Sequence, residues 1–159
     1  MTITATPVVP PMPARPAPFP HHYSVELGWS PGEAGLLTAQ RNPPLPGGAP
    51  PDFGGREDWW SPEDLLLSAV ALCFQTTFHA FAARAALPVA RLEARCEGVL
   101  EKTKDGLRFT RFVLKVRLAV PAADAARARE LAEASEKNCL VSRALVVPVE
   151  LELEIEPLA

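Results

Sequence analysis

Two of the chain's three cysteines stand in settings that suit thiol chemistry. Cys73 lies at the end of the apolar run Leu65 to Phe74, and Cys139 directly follows a charged stretch that ends Glu136-Lys137-Asn138. They are 66 positions apart, so only the fold can bring them together. A thiolate is a nucleophile, and a second thiol beside it can close a disulfide once the first is oxidised. A cysteine within a helix also serves as a small buried hydrophobe, and on its residues alone Cys73 admits both roles. Burial in apolar surroundings raises a thiol above its ordinary pKa of about 8.5, so a nucleophilic Cys73 needs a cation close by. Its own helix offers none. Cys96 shares a strand face with Leu92 and Ala94 and reads as a buried structural thiol. His21, His22 and His79 have no ligand spacing with any cysteine or carboxylate, so a metal site is not expected.

The element that must carry Cys73 is the clearest in the chain. Ser61 is a favoured N-cap, Pro62 suits the first helical position, and Asp64 stands where a capping-box acid belongs. The helix is expected to run to Leu87-Pro88, about 26 residues and about 39 Å long. Between Leu65 and Phe74 apolar residues cover nearly every face, which requires a sheet or a second subunit around it. Tyr23, Val25, Leu27 and Trp29 alternate with polar or small residues, predicting a strand with one buried face. A turn at Pro31-Gly32 leads to a second strand over Gly35 to Gln40. Residues 41–58, with Pro43, Pro44, Pro46, Pro50 and Pro51, read as a long loop, a candidate wall or lid. After the helix, Arg91 to Leu100 and Phe109 to Val120 form a hairpin about Lys104-Asp105-Gly106. Ala122 to Lys137 is helical, a short turn runs through Leu145, and Val147 to Ile155 is the last strand. The order β-β-α-β-β-α-β implies an α+β domain, an antiparallel sheet wrapped on one long helix.

Composition bounds the rest. With 159 residues, 48% hydrophobic and 22% charged, the chain has room for one domain with a proper core, expected over residues 21–159. A net charge of −3 with scattered Lys and Arg argues against nucleic acid as a partner. Residues 1–20 carry seven prolines and no signal-peptide pattern, predicting a disordered or polyproline-like lead. An odd cysteine count favours a reducing, cytoplasmic compartment. No uninterrupted apolar run reaches about 18 residues, and Glu63, Asp64, His79 and Arg84 on the long helix argue against a membrane span.

The string Ser61-Pro62-Glu63-Asp64-Leu65-Leu66-Leu67-Ser68-Ala69-Val70-Ala71-Leu72-Cys73-Phe74 resembles the helix signature of the osmotically inducible protein C and organic hydroperoxide resistance family, where a Pro-Glu pair precedes the first reactive cysteine by ten residues. Asn138-Cys139-Leu140-Val141-Ser142-Arg143-Ala144-Leu145 resembles its second cysteine motif, with Leu140 where many members have proline. The pattern is closer to the broader family than to its dedicated hydroperoxide-resistance subgroup. The resemblance implies a cysteine-based peroxidase for organic or fatty-acid hydroperoxides. Cys73 would become a sulfenic acid, Cys139 would resolve it, and an external dithiol, often of lipoyl type, would regenerate the pair without cofactor or metal. Glu63 lies about 15 Å from Cys73 along a helix axis. If it shares the site it must come from a second copy, making an intertwined homodimer with sites at the subunit interface. There it would orient an arginine, Arg56 or alternatively Arg41, that stabilises thiolate and peroxide oxygens. A non-enzymatic small-molecule binder or redox sensor that kept the thiols is the other class of function open to this sequence.

Overall fold

A computed structural model describes residues 18–158. Most of the proline-rich lead expected over residues 1–20 lies outside the described residues. The elements run β1 (Glu26–Gly28), β2 (Gly35–Thr38), β3 (Leu45–Gly47), α1 (Pro62–Arg84), β4 (Arg91–Thr103), β5 (Gly106–Pro121), α2 (Ala125–Asn138), α3 (Leu140–Ala144) and β6 (Val149–Leu158). Two three-stranded sheets result, β1-β2-β3 and β4-β5-β6, giving an α+β fold around the long helix α1.

Helix α1 begins as its sequence dictates. The Ser61 hydroxyl accepts from the Asp64 N–H at 3.0 Å and the Asp64 carboxylate accepts from the Ser61 N–H at 3.0 Å, closing the capping box. The helix ends at Arg84, short of Leu87-Pro88. Ala86 turns left-handed at φ 49, the Leu87 N–H donates to the Ala82 carbonyl at 2.9 Å, and the Ala86 N–H donates to the Ala83 carbonyl at 3.2 Å. This is a Schellman closure made with alanine where glycine is usual, and the buried Leu87 anchors it.

One stripe of α1, Val70, Phe74, Phe78 and Ala82 at four-residue spacing, is buried. It packs on the inner face of β5, formed by Phe112, Leu114, Val116, Leu118 and Val120, and on Ala128 and Ala132 of α2. By length and composition α1 could cross a membrane; here it is the core helix of a mixed layer. The outer face of the sheet is charged instead. Arg111 pairs with Glu150 at 2.7 Å, Lys115 with Glu97 at 2.8 Å and Arg117 with Glu154 at 3.0 Å. The alternation of glutamates along β6 thus faces the alternation of cations along β5.

Three expectations need correction. The second sheet is mixed, because β4 and β5 are antiparallel but β6 lies parallel to β5, with Phe112 beside Val149 and Leu118 beside Ile155. The connection through α2 and α3 returns the chain to the starting end of β5, as a parallel crossover requires. The loop after β2 is also more regular than its prolines suggest. It contains β3, a 3₁₀ turn at Pro51–Phe53 and a ladder contact of Gly47 with Trp60, in which Trp60 N–H donates to Pro46 O and Gly48 N–H to Trp60 O. Finally, the face of Tyr23, Val25, Leu27 and Trp29 is exposed in this chain, at 85, 64, 67 and 67%, and regular pairing is confined to Glu26–Gly28. Alternation marks a strand with one apolar face, and among the described residues no element covers this one.

Candidate functional site

The fold closes the 66-residue gap between Cys73 and Cys139. Helix α2 stops at Asn138, Cys139 takes extended geometry with ψ 118, and α3 starts at once against the middle of α1. Cys139 is the N-cap of α3, its sulfur replacing the usual oxygen and accepting the Ser142 N–H at 3.4 Å. The preceding amide, Val141 N–H, donates to the Cys73 sulfur at 3.5 Å. Two consecutive amides of one turn therefore hold the two sulfurs. Both thiols are free.

Their environments differ. Cys139 is fully buried, while Cys73 is partly exposed beside Leu72, which is 63% exposed. Burial pushes the Cys139 thiol above its ordinary pKa, and the neighbouring Cys73 thiol pushes it further the same way, against the Ser142 N–H, which favours the thiolate. Cys139 is thus held toward its thiol form, and Cys73 is the sulfur that meets solvent. Cys96 packs against the hydrophobic core from β4 and is pushed up to about 11, mainly by burial and secondarily by Glu97, as an inert structural thiol would be.

The charged residues singled out by sequence are not gathered at the sulfurs. Arg56 makes a bidentate pair with Asp58, Nε to Oδ1 at 2.8 Å and Nη2 to Oδ2 at 2.9 Å, and lies 5.4 Å over the Trp59 ring. Donating its hydrogen bonds to Asp58 holds the guanidinium above its usual pKa, and Arg56 in turn lowers the Asp58 carboxyl. Arg41 is exposed at the turn after β2. Among the described residues no guanidinium hydrogen-bonds either sulfur. Glu63 lies in the first turn of α1, where the helix dipole favours an acid. Its Oε2 is nonetheless buried without a hydrogen-bond partner, on the wall of a cavity of about 530 Å³ shared with Leu67, Gly98 and Phe109. An unpaired buried carboxylate oxygen is costly, so a donor beyond those of the described residues, a water or another group, is called for.

A second cavity of about 460 Å³ lies between the first sheet and the start of α1, walled by Leu27, Trp29, Leu37, Trp59, Trp60 and Leu65. Trp59 and Trp60 thus line an apolar pocket, but neither cysteine borders it. Sequence reasoning missed Val141 and Ser142. The Val141 contact is made by backbone and leaves no side-chain signature. Ser142 had a signal in its place three residues after Cys139, the spacing at which a cap meets its N–H.

Comparison with known proteins bears on the family and the fold. The family model described as OsmC-like protein matches residues 55–154, which include both cysteines and Glu63. The uncharacterized protein YmaD of Bacillus subtilis is 25% identical over 139 residues, covering 84% of this chain and 93% of YmaD. Peroxiredoxin OsmC of Escherichia coli is 27% identical over 124 residues, covering 78% of this chain and 82% of that protein. Among solved structures, an OsmC-like protein of unknown function from Vibrio cholerae superposes with a TM-score of 0.75 at 17% identity, covering 84% of this chain and 99% of that one. By its family match and its fold, the chain belongs to the OsmC-like protein family.

Proposed function

We propose that this protein is a thiol-dependent peroxidase for organic hydroperoxides, working in a reducing, cytoplasmic compartment. The observation that carries this is the meeting of Cys73 and Cys139 as free thiols on consecutive amides of α3. Cys73 thiolate attacks the distal peroxide oxygen, the O–O bond breaks, and the alkoxide leaves as alcohol after taking a proton, giving Cys73 sulfenic acid. Cys139 attacks that sulfur, water leaves, and a disulfide forms. An external dithiol, with a lipoyl-type one as the candidate, reduces the disulfide and is itself oxidised. The apolar residues beside the thiols, Leu72 at 63% and Leu140 at 75% exposure, suit an organic peroxide better than hydrogen peroxide.

The site is completed by a second copy of the chain. Exposed Tyr23, Val25, Leu27, Trp29 and Leu72 provide the apolar surface for a homodimer, and the orphaned Glu63 oxygen awaits a guanidinium. Arg56 is the first candidate once released from Asp58, and Arg41 is the alternative. Cumene hydroperoxide consumption with a dithiol reductant tests the activity. Arg56→Ala is expected to lower the rate roughly 100-fold with Arg41→Ala near wild type, and the reverse pattern would reassign the role. A monomeric mass at micromolar concentration would count against the shared site. A non-enzymatic binder or redox sensor is the second reading, favoured by the absence of a guanidinium at Cys73 among the described residues and by the tryptophan-walled cavity. No turnover by wild type with both thiols free would decide for it.

A further inference from the structure

Ser142 is 9% exposed and its Oγ is buried without a hydrogen-bond partner. A buried hydroxyl that satisfies nothing in the resting state is costly to keep, and alanine would avoid that cost. The residue sits against Cys139, donating its N–H to that sulfur at 3.4 Å. Cys139 is fully buried, so water cannot solvate charge on it. The titratable groups packed around this point are Cys73 from α1, Glu136 and Lys137 from α2, and Arg143 from α3, while Glu150 of β6 is turned outward to Arg111. Cys73, the one of these that acts on Cys139, favours its protonated form, whereas the side chain and backbone of Ser142 favour the thiolate.

We propose that Ser142 is a positioning residue for Cys139, its amide and its hydroxyl together holding the negative charge that Cys139 sulfur carries when it attacks Cys73 and again when it leaves on reduction. The hydroxyl is a rotor. With Cys139 protonated it has no acceptor that needs it, and once the proton is gone a short rotation turns it onto the sulfur. The resting lack of a partner is what a donor reserved for a transient anion looks like.

This role rests on the thiol-pair reading above, and an aromatic disulfide such as 5,5′-dithiobis(2-nitrobenzoate) tests it without any peroxide. Cys73 thiolate attacks the probe, its S–S bond breaks, and one aryl thiolate leaves. Cys139 thiolate then attacks the Cys73 sulfur of the mixed disulfide and expels the second aryl thiolate, closing the Cys73–Cys139 bond. The two releases are read at one wavelength, with Cys96→Ser as the background chain. Ser142→Ala is expected to slow the second release relative to the first by at least about tenfold at pH 7 and to move its pH profile upward, because a donor to a charged group is lost. Ser142→Thr, which keeps the hydroxyl, should restore both. A second release in Ser142→Ala with the wild-type ratio and pH profile would overturn the role while leaving the thiol pair intact. Equal slowing in both variants with no shift in the profile would overturn it in favour of packing. Absence of a second release in the wild type would overturn the thiol pair and this role with it.

Discussion

Replacing Cys73 with serine is expected to lower hydroperoxide consumption by at least about three orders of magnitude, because a hydroxyl is far harder to deprotonate than a thiol and is a weaker nucleophile toward oxygen. The position is the partly exposed member of the pair and the one to which the Val141 N–H points. Cys139→Ser should behave differently. It leaves Cys73 able to react once, so one equivalent of peroxide is consumed, turnover then stops, and the sulfenic acid persists until excess peroxide carries it to sulfinic acid. Mass spectrometry separates the two outcomes by one or two added oxygens. Cys96→Ser should turn over as wild type, since that thiol is raised to about 11 and packs on the core. A single-turnover burst from Cys73→Ser would reverse the roles.

The largest effect on stability is expected at Phe74. Its side chain is fully buried, stacked on Phe78 with ring centroids 6.0 Å apart, in the stripe that faces β5 and α2. Phe74→Ala removes that packing and leaves a cavity that two sheet strands and two helices cannot all close upon, at a cost of about 3–5 kcal/mol. Denaturant unfolding should show a lower midpoint with an unchanged slope. Leu72→Ala, two positions away, is the informative contrast. In a lone chain its 63% exposure confines the effect to about 0.5 kcal/mol. A larger loss that depends on protein concentration would show that a second copy covers Leu72.

How much of this was legible in the sequence depends on whether the cause was local. The start of α1 was, because Ser61, Pro62 and Asp64 act on one another within a single turn. Its end was not, because Ala86 adopts φ 49 without the glycine that usually announces it. The strand β6 was visible through its alternation with Glu150, Glu152, Glu154 and Glu156, but alternation is the same whether the neighbour runs parallel or antiparallel. The exposed face of Tyr23 to Trp29 misled for a related reason: period two records that one face is apolar, and says nothing of which body it meets. At the site, both cysteines and Glu63 stood out by type and spacing. Arg56 shows the limit, since a loop cation beside Asp58 and Trp59 has a local partner of its own that a linear reading does not weigh.

The seating of both sulfurs on one turn of α3 also bears on how the protein endures heat. With the two sulfurs already on neighbouring amides of α3, closing the bond is expected to leave α1 and α3 wound. The bond would then tie together a span of 66 positions, restricting the unfolded chain by up to about 4 kcal/mol if no strain is added. The oxidised form would be the sturdier one. A peroxide challenge would therefore leave the protein in its most heat-resistant state until reductant arrives, and its melting temperature would report the balance between oxidant and reductant around it.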